Sequence, residues 1–324
     1  MQFSVTDLDE AARLVGREVV PTPAHTWPLL AEALGAAEVI VKHENHAPTG
    51  AFKVRGGVTF IDWLRRTHPE MRGIATATRG NHGQSQARAA TAAGLRALIV
   101  VPRGNSVEKN AAMRAYGAEL IEHGDDFDAA RAEAMRLAEA EALFPVPPFH
   151  RELVRGVATY GLELFRAHPD LDRVYVPIGC GSGICGTIAA RDALGLRTEI
   201  VGVVAANADA ALRSVQAGRL VEGESARTFA DGLAVRVPVA EAFEIYRKGA
   251  HHLGAVSEAE IAAAMRLYFA ATHNLAEGAG AAALALALQE RAEHAGRKIG
   301  LVLSGGNIDT APFAQVLSGG LPQA

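Results

Sequence analysis

Four short stretches of the chain carry residues that could do chemistry. The first is HAPTGAFKVRGG, residues 46–57, where a turn at Pro48, Thr49 and Gly50 leads into Lys53 and an apolar run. Lys53 falls at the first turn of a helix, where the macrodipole disfavours a cation. It is either an ordinary solvated lysine or an amine with a task. The second is TRGNHGQ (78–84), with Asn81 and His82 between a strand exit and a helix entry. The third is GCGSGICG (179–186), and the fourth is SGGN (304–307), again at a strand exit.

The third stretch has the clearest physical meaning. A strand that runs through a glycine-rich turn into a helix crowds backbone N–H groups around an anion, and the helix terminus adds a favourable field. GSGICG also satisfies G-x-G-x-x-G, so a dinucleotide site is an alternative. Against it, the following strand TEIVGVVAAN ends without an acidic residue for a ribose, and the motif lies deep in the chain. No GxxxxGK[ST] loop is present. A single phosphate on a small cofactor fits better. A phosphate cradle plus a lone amine points to pyridoxal 5'-phosphate, whose aldehyde needs a lysine. The bland readings are a solvated lysine and a tight strand-to-helix turn that uses glycine for its own sake.

These loops need elements to hold them. Short apolar runs alternate with helical stretches: strands at 38–44, 73–78, 96–102, 118–123, 173–179, 198–205 and 298–307, and helices at 51–66, 81–94, 106–117, 126–142, 183–194, 257–274 and 278–296. Ser257 and Glu260 make a capping-box pattern. Such alternation implies βαβ units, parallel sheets and right-handed crossovers. The proline-rich stretch FPVPPFHRELVRG (144–156) reads as a domain crossing. The expected fold is α/β, with two interleaved doubly wound domains. Ligands in such folds sit at the carboxyl ends of strands.

Bulk properties narrow the class. The chain has 324 residues, 49% apolar and 21% charged, which suits one large or two ordinary globular domains. Abundant alanine predicts close-packed helices. A net charge of −4 and a pI near 6.3 argue against nucleic acid or anionic membrane as partners. No run of about 18 apolar residues suggests a membrane span. Two cysteines, Cys180 and Cys185, are neither a disulfide framework nor a zinc set, and fit a reducing cytoplasm. The amphipathic, acidic N-terminus lacks a signal-peptide layout. HENH (43–46) lacks HExxH spacing, and His251, His252 and His273 read as surface or packing residues.

Together the four stretches resemble the fold-type II pyridoxal-phosphate family of threonine and serine dehydratases and serine racemases. The resemblance runs from VVPTPAHTW (19–27) to SGGNID (304–309). It implies a large cofactor-binding domain from residues 1–70 and 149–324, and a small domain from 71–148. It implies that Lys53 forms the Schiff base and then removes the substrate's α-proton. Phe52 would pack on one face of the ring and Gly232 would allow close approach on the other. Asn81 would meet the ring oxygen, Gly179, Cys180, Gly181, Ser182 and Gly183 the phosphate, and Ser304 the pyridine nitrogen. Thr78, Asn81 and His82 would receive the substrate carboxylate. Glu277 stands where relatives keep a glutamate near the cofactor. The implied reaction is elimination of water from an L-β-hydroxy amino acid, in a homodimer. The default substrates are threonine and serine. A branch with the same TRGNHGQS loop takes bulkier ones such as phenylserine, or acts in hydroxyectoine breakdown.

The chain departs from that pattern in three places. Arg79 stands where racemases carry the serine that acts on the second face of the substrate. A guanidinium, with a pKa above about 12, is a poor base, so racemisation is disfavoured as the main activity, and serine- or aspartate-type racemase or β-replacement chemistry stands as the runner-up. Arg79 either binds a substrate carboxylate or points to solvent. Val204 and Ala210 stand where racemases have acidic metal ligands, so no metal is expected. The chain stops soon after SGGNID, which predicts no end-product feedback and a catabolic role. The rival from another class is a non-catalytic phosphate-ligand binding protein, for which Lys53 has no use.

Overall fold

The structure is a computed structural model that describes residues 1–323. Among these residues ten strands form two sheets. In chain order they are β1 (Ala24–Thr26), β2 (Glu38–His43), β3 (Gly73–Ala77), β4 (Arg96–Val101), β5 (Glu119–Glu122), β6 (Phe144–Pro145), β7 (Arg173–Pro177), β8 (Glu199–Ala205), β9 (His252–Val256) and β10 (Lys298–Leu303). The larger sheet has the order β1-β2-β10-β7-β8-β9 and the smaller one β5-β4-β3-β6. Every pairing is parallel except β1 with β2.

The strand sequences explain this. β2, β7, β8 and β10 are near-continuous apolar runs that are buried along almost their whole length, as parallel strands covered on both faces must be. The helix Gly278–Gln289 is apolar all round and buries ten of its residues in the core on one side of the large sheet. On the other side a second cluster forms around the helices Arg151–Ala167 and Ser182–Ala193. Two smaller clusters flank the small sheet.

The α/β class, the parallel sheets and the alternation agree with expectation, and the Ser257–Glu260 capping box is present. Three readings change. The stretch 144–156 is not a plain crossing: it contains β6 and the first turns of the helix Arg151–Ala167. That helix is amphipathic, but its proline-rich flank masked it. The helix expected over 278–296 ends at Gln289 and gives way to a short turn at Arg291–Glu293. The strand expected over 298–307 stops at Leu303, which leaves SGGN as a loop.

A buried ionic cluster fastens the helix Lys53–Thr67 to this frame. Arg55 is fully buried. Its Nε donates to Glu44 Oε2 at 2.8 Å, and its Nη1 and Nη2 donate to the two oxygens of Glu163 at 2.6 and 2.9 Å. Nη2 also reaches Glu44 Oε1 at 3.0 Å, while Thr159 and Thr22 accept further bonds. Lys42, at 2.5 Å from Glu163, completes two cations and two carboxylates. The crossing with Arg151–Ala167 is close: a Cβ at Gly156 would lie 2.2 Å from Arg55 O. A buried charge that loses its partner costs several kcal/mol. Arg55→Leu is therefore expected to lower the unfolding free energy by about 3–5 kcal/mol in denaturant titrations. Arg66→Ala, which breaks only the exposed pair with Asp62, changes it little.

Candidate active site

The strand order brings three of the four loops together. β2, β10 and β7 are consecutive in the large sheet, so the loops at their carboxyl ends are neighbours. These are the Lys53 loop, the Ser304 loop and the glycine-rich loop. Backbone bonds join the first two: Phe52 N donates to Ser304 O at 3.1 Å, Gly306 N donates to Gly50 O at 2.9 Å, and Ala51 and Gly305 form an isolated antiparallel bridge. Gly50 has a left-handed φ of +68°, and a Cβ there would lie 2.4 Å from Asn307 Oδ1. The turn before Lys53 thus needs glycine for both conformation and space.

The fourth loop comes from the other sheet, at the end of β3, and meets the first three through side chains. Ser85 Oγ donates to Lys53 O at 2.6 Å. Asn81 Nδ2 donates to Glu277 Oε1 at 2.6 Å, and Asn307 Nδ2 donates to Asn81 Oδ1 at 2.8 Å. Glu277 N donates to Gly305 O. Lys109, on the helix Val107–Ala115, reaches across with Nζ at 2.8 Å from Asp231 Oδ2. A cleft of about 250 Å³ opens here, lined by Arg79, Lys109, Asp231, Glu277 and Asn307 among others. A larger cavity of about 790 Å³, near Met1 and Lys248, is lined by none of the four loops.

The site's electrostatics favour neutral bases. Lys53 begins its helix with Nζ 4.8 Å from the centroid of the Phe52 ring. Burial lowers its pKa below the ordinary 10.5, against the opposing pull of Cys180 and Glu277. Burial also pushes His82 down to about 3, helped by the charge of Lys53. Its Nε2 is buried without a partner. Burial raises the Glu277 carboxyl, with Lys109 and the Asn81 bond opposing. Thr78 Oγ1 accepts from the N–H groups of Gly80 and Gly83, which leaves its own proton to give.

These groups fit a phosphorylated aromatic aldehyde. The helix Ser182–Ala193 starts at Gly181, in the left-handed region with φ +95° and no side-chain cap. Its first-turn N–H groups therefore stay free for an anion. Gly183 lies beside Phe52 and Tyr160, so the aromatic ring that precedes Lys53 borders the anion loop. Ser304 is buried at the end of β10, and its backbone oxygen accepts from Phe52 N. Gly232 sits in the turn Asp231–Leu233 against Gly179, whose added Cβ would meet Gly232 O at 2.1 Å.

Residues 15–305 match the family model described as pyridoxal-phosphate dependent enzyme. The chain belongs to this family. Its cofactor is accordingly pyridoxal 5'-phosphate. The chain is similar to the L-threonine ammonia-lyase of Thermotoga maritima, with 34% identity over 98% of this chain and 79% of that one. It is similar to the solved processed form of threonine deaminase isoform 2 from Solanum lycopersicum, with 27% identity, a TM-score of 0.89, and 98% and 89% of the two chains covered. A pyridoxal 5'-phosphate-dependent aspartate racemase is also similar in fold, with 25% identity, a TM-score of 0.91, and 97% and 99% covered.

The structure brings Phe52, Lys53, Asn81, His82, Ser304, Gly232 and the 179–183 loop to one place, with Thr78 at its edge. Arg79 is the outlier: it is exposed and lines the cleft rather than the recess around Lys53. Lys109, Asp231 and Tyr160 escaped the sequence reading, and Asn307 entered it only as the end of SGGN, without a role. No local pattern marks the first three, because each sits in ordinary helix or loop sequence. In the cofactor-free protein, acylation of Lys53 by an amine-directed reagent is expected to show a pH midpoint below 10.5. The reactive neutral form then grows in at lower pH than for an ordinary exposed lysine, as peptide mass mapping would show.

Proposed function

We propose that the chain is a pyridoxal-phosphate dependent lyase. It removes water from an L-β-hydroxy amino acid of threonine or serine type, and the released enamine takes up water to give a 2-oxo acid and ammonia. One observation carries the reading: a buried lysine with a lowered pKa shares one sheet edge with a buried serine and a phosphate-type loop. Its likeness to L-threonine ammonia-lyase supports the same reaction class. We further assign residues 71–148 as the small domain, a homodimeric assembly, and a reducing cytoplasmic location in keeping with the free thiols of Cys180 and Cys185.

Each side chain has a task in this scheme. The cofactor, when bound, supplies the electron sink that makes the substrate's Cα–H acidic. Lys53 takes that proton at Nζ, whose burial shifts it toward the uncharged form. Ser304 would donate a neutral hydrogen bond to the pyridine nitrogen, and Asn81 would donate an N–H to the ring oxygen. The N–H groups of residues 179–183 would hold the phosphate, with Phe52 and Gly232 toward the ring. The Thr78 hydroxyl, the backbone N–H of Asn81 and His82 bind the substrate carboxylate. His82 does so as a neutral imidazole, because its buried ring resists protonation. Arg79, at the cleft, faces the part of the substrate beyond Cβ. A guanidinium there cannot serve as a second-face base, which favours elimination over racemisation.

The purified protein is expected to be yellow and to release 2-oxo acid from threonine or serine, with phenylserine and 3-hydroxyaspartate as the discriminating additions. Lys53→Ala should lower turnover by about 10³-fold. A wild type that takes up no pyridoxal phosphate would overturn the proposal. Arg79→Ser should raise racemisation relative to elimination, measured by chiral chromatography; an unmoved ratio refutes the role given to Arg79.

A further inference from the structure

Lys109 has no part in the scheme above, yet it reaches the centre of the site. Its helix, Val107–Ala115, follows β4 of the small sheet, whereas its ammonium is buried among residues of the large one. Nζ donates to Asp231 Oδ2 at 2.8 Å and stands 3.8 Å from Glu277 Oε2. The stem passes directly against Gly80, where a Cβ would lie 2.6 Å from Lys109 Cδ. Lys109 therefore lies against the turn that carries Asn81.

The hydrogen bonds beyond Glu277 have a fixed direction. Thr49 O can only accept, so the atom of Asn307 that faces it at 2.7 Å is Nδ2. That nitrogen's second proton goes to Asn81 at 2.8 Å, which must present Oδ1. Asn81 then has to turn Nδ2 toward Glu277, where Oε1 accepts at 2.6 Å. One N–H of Asn81 remains for a ligand, and its direction depends on where Glu277 stands. The other oxygen of Glu277 is the one that faces Lys109. The charged groups around this carboxyl are Lys109, Asp231 and Lys53, and Asp309 also faces Lys109. Burial opposes the Lys109 charge, but Asp231 and Glu277 outweigh it and raise the pKa, so Lys109 stays a cation. The site thus holds one lysine driven toward neutrality and another held charged.

We propose that Lys109 is a positioning residue: anchored by Asp231, it holds Glu277 in place and so aims the N–H that Asn81 offers to the cofactor's ring oxygen. The proposal rests on the role given to Asn81 in the preceding section. It makes Lys109 the link through which the helix of the small sheet acts on the cofactor.

The test uses full-length wild type, Lys109→Met, Lys109→Arg, Glu277→Gln and the double variant Lys109→Met/Glu277→Gln, each loaded with pyridoxal phosphate. Two readouts are taken. Borohydride reduction followed by peptide mapping reports occupancy at Lys53, and a pH titration of the bound cofactor's visible absorbance reports the environment of its ring oxygen. Lys53 is expected to be labelled in every variant. The titration midpoint in Lys109→Met should move upward by about one pH unit, because a donor that stabilises the ionised oxygen is lost. Glu277→Gln should move it in the same direction, and the double variant no further, as for residues acting in series. Lys109→Arg should restore most of the shift. Asp231→Asn, which leaves Lys109 in place but loosens its anchor, supplies a second variant if Lys109→Met folds poorly; its midpoint should also rise. An unchanged midpoint in Lys109→Met or Asp231→Asn, or additive shifts in the double variant, would overturn the inference alone. A colourless wild type would overturn the cofactor reading and this inference with it.

Discussion

Everything at the site depends on the parallel pairing of β2 with β10. Lys298 to Leu303 lie opposite Glu38 to His43 in unbroken register, so one end of the chain completes the sheet begun at the other. The register continues past the strands: the Ala51–Gly305 bridge and the bond from Phe52 N to Ser304 O carry it into the loops. With β7 on the far side of β10, the amine, the serine hydroxyl and the anion loop occupy successive positions along one sheet edge. Neighbouring strands lie only about 4.8 Å apart, which is the scale of a small cofactor.

The second constraint is charge. Two residues after Lys53, Arg55 is buried with all three of its nitrogens engaged by Glu44, Glu163, Thr22 and Thr159. Such a cluster offers little net stability over apolar packing, but it penalises any other arrangement. It therefore pins the start of the helix, and Lys53 with it. The field at that start and the burial around Nζ act together on the lysine. A feature that disfavours an ordinary cation suits an amine that must work uncharged.

The site is also a meeting of two sheets. Asn81 and His82 come from the small sheet, while Lys53, Glu277 and Ser304 belong with the large one. Side-chain bonds through Asn307, Glu277 and Lys109 cross between them. The helix Val107–Ala115 is further joined to the helix Thr310–Leu317 by reciprocal contacts. Asp309 accepts from Ser106 and from Val107 N, and Glu108 accepts from Thr310 N. Each helix start is thus supplied with a carboxylate by the other segment, which satisfies free N–H groups and complements both dipoles.

The alternation of apolar runs and helices was legible in the sequence because it depends on local periodicity alone. So were the four loops, since glycines at strand exits and a lysine at a helix start are local signals. Those patterns determined the α/β class, the strands β2, β3, β4, β5, β7, β8 and β10, and the residues that could meet a phosphate or an aldehyde. They could not reveal the helix Arg151–Ala167 behind its proline-rich flank, nor the strands β1, β6 and β9, each of which pairs at a sheet edge with one partner. Tertiary structure alone decided the strand order, and hence that three loops far apart in the chain share one edge. It also decided that Lys109, Asp231 and Tyr160 belong beside them, that Asn307 bonds Asn81, and that Arg79 lies at the cleft instead of the recess. The reason is physical: a residue's type and immediate neighbours set what it can do, but its partners are chosen by non-local packing, which leaves no mark in the local sequence.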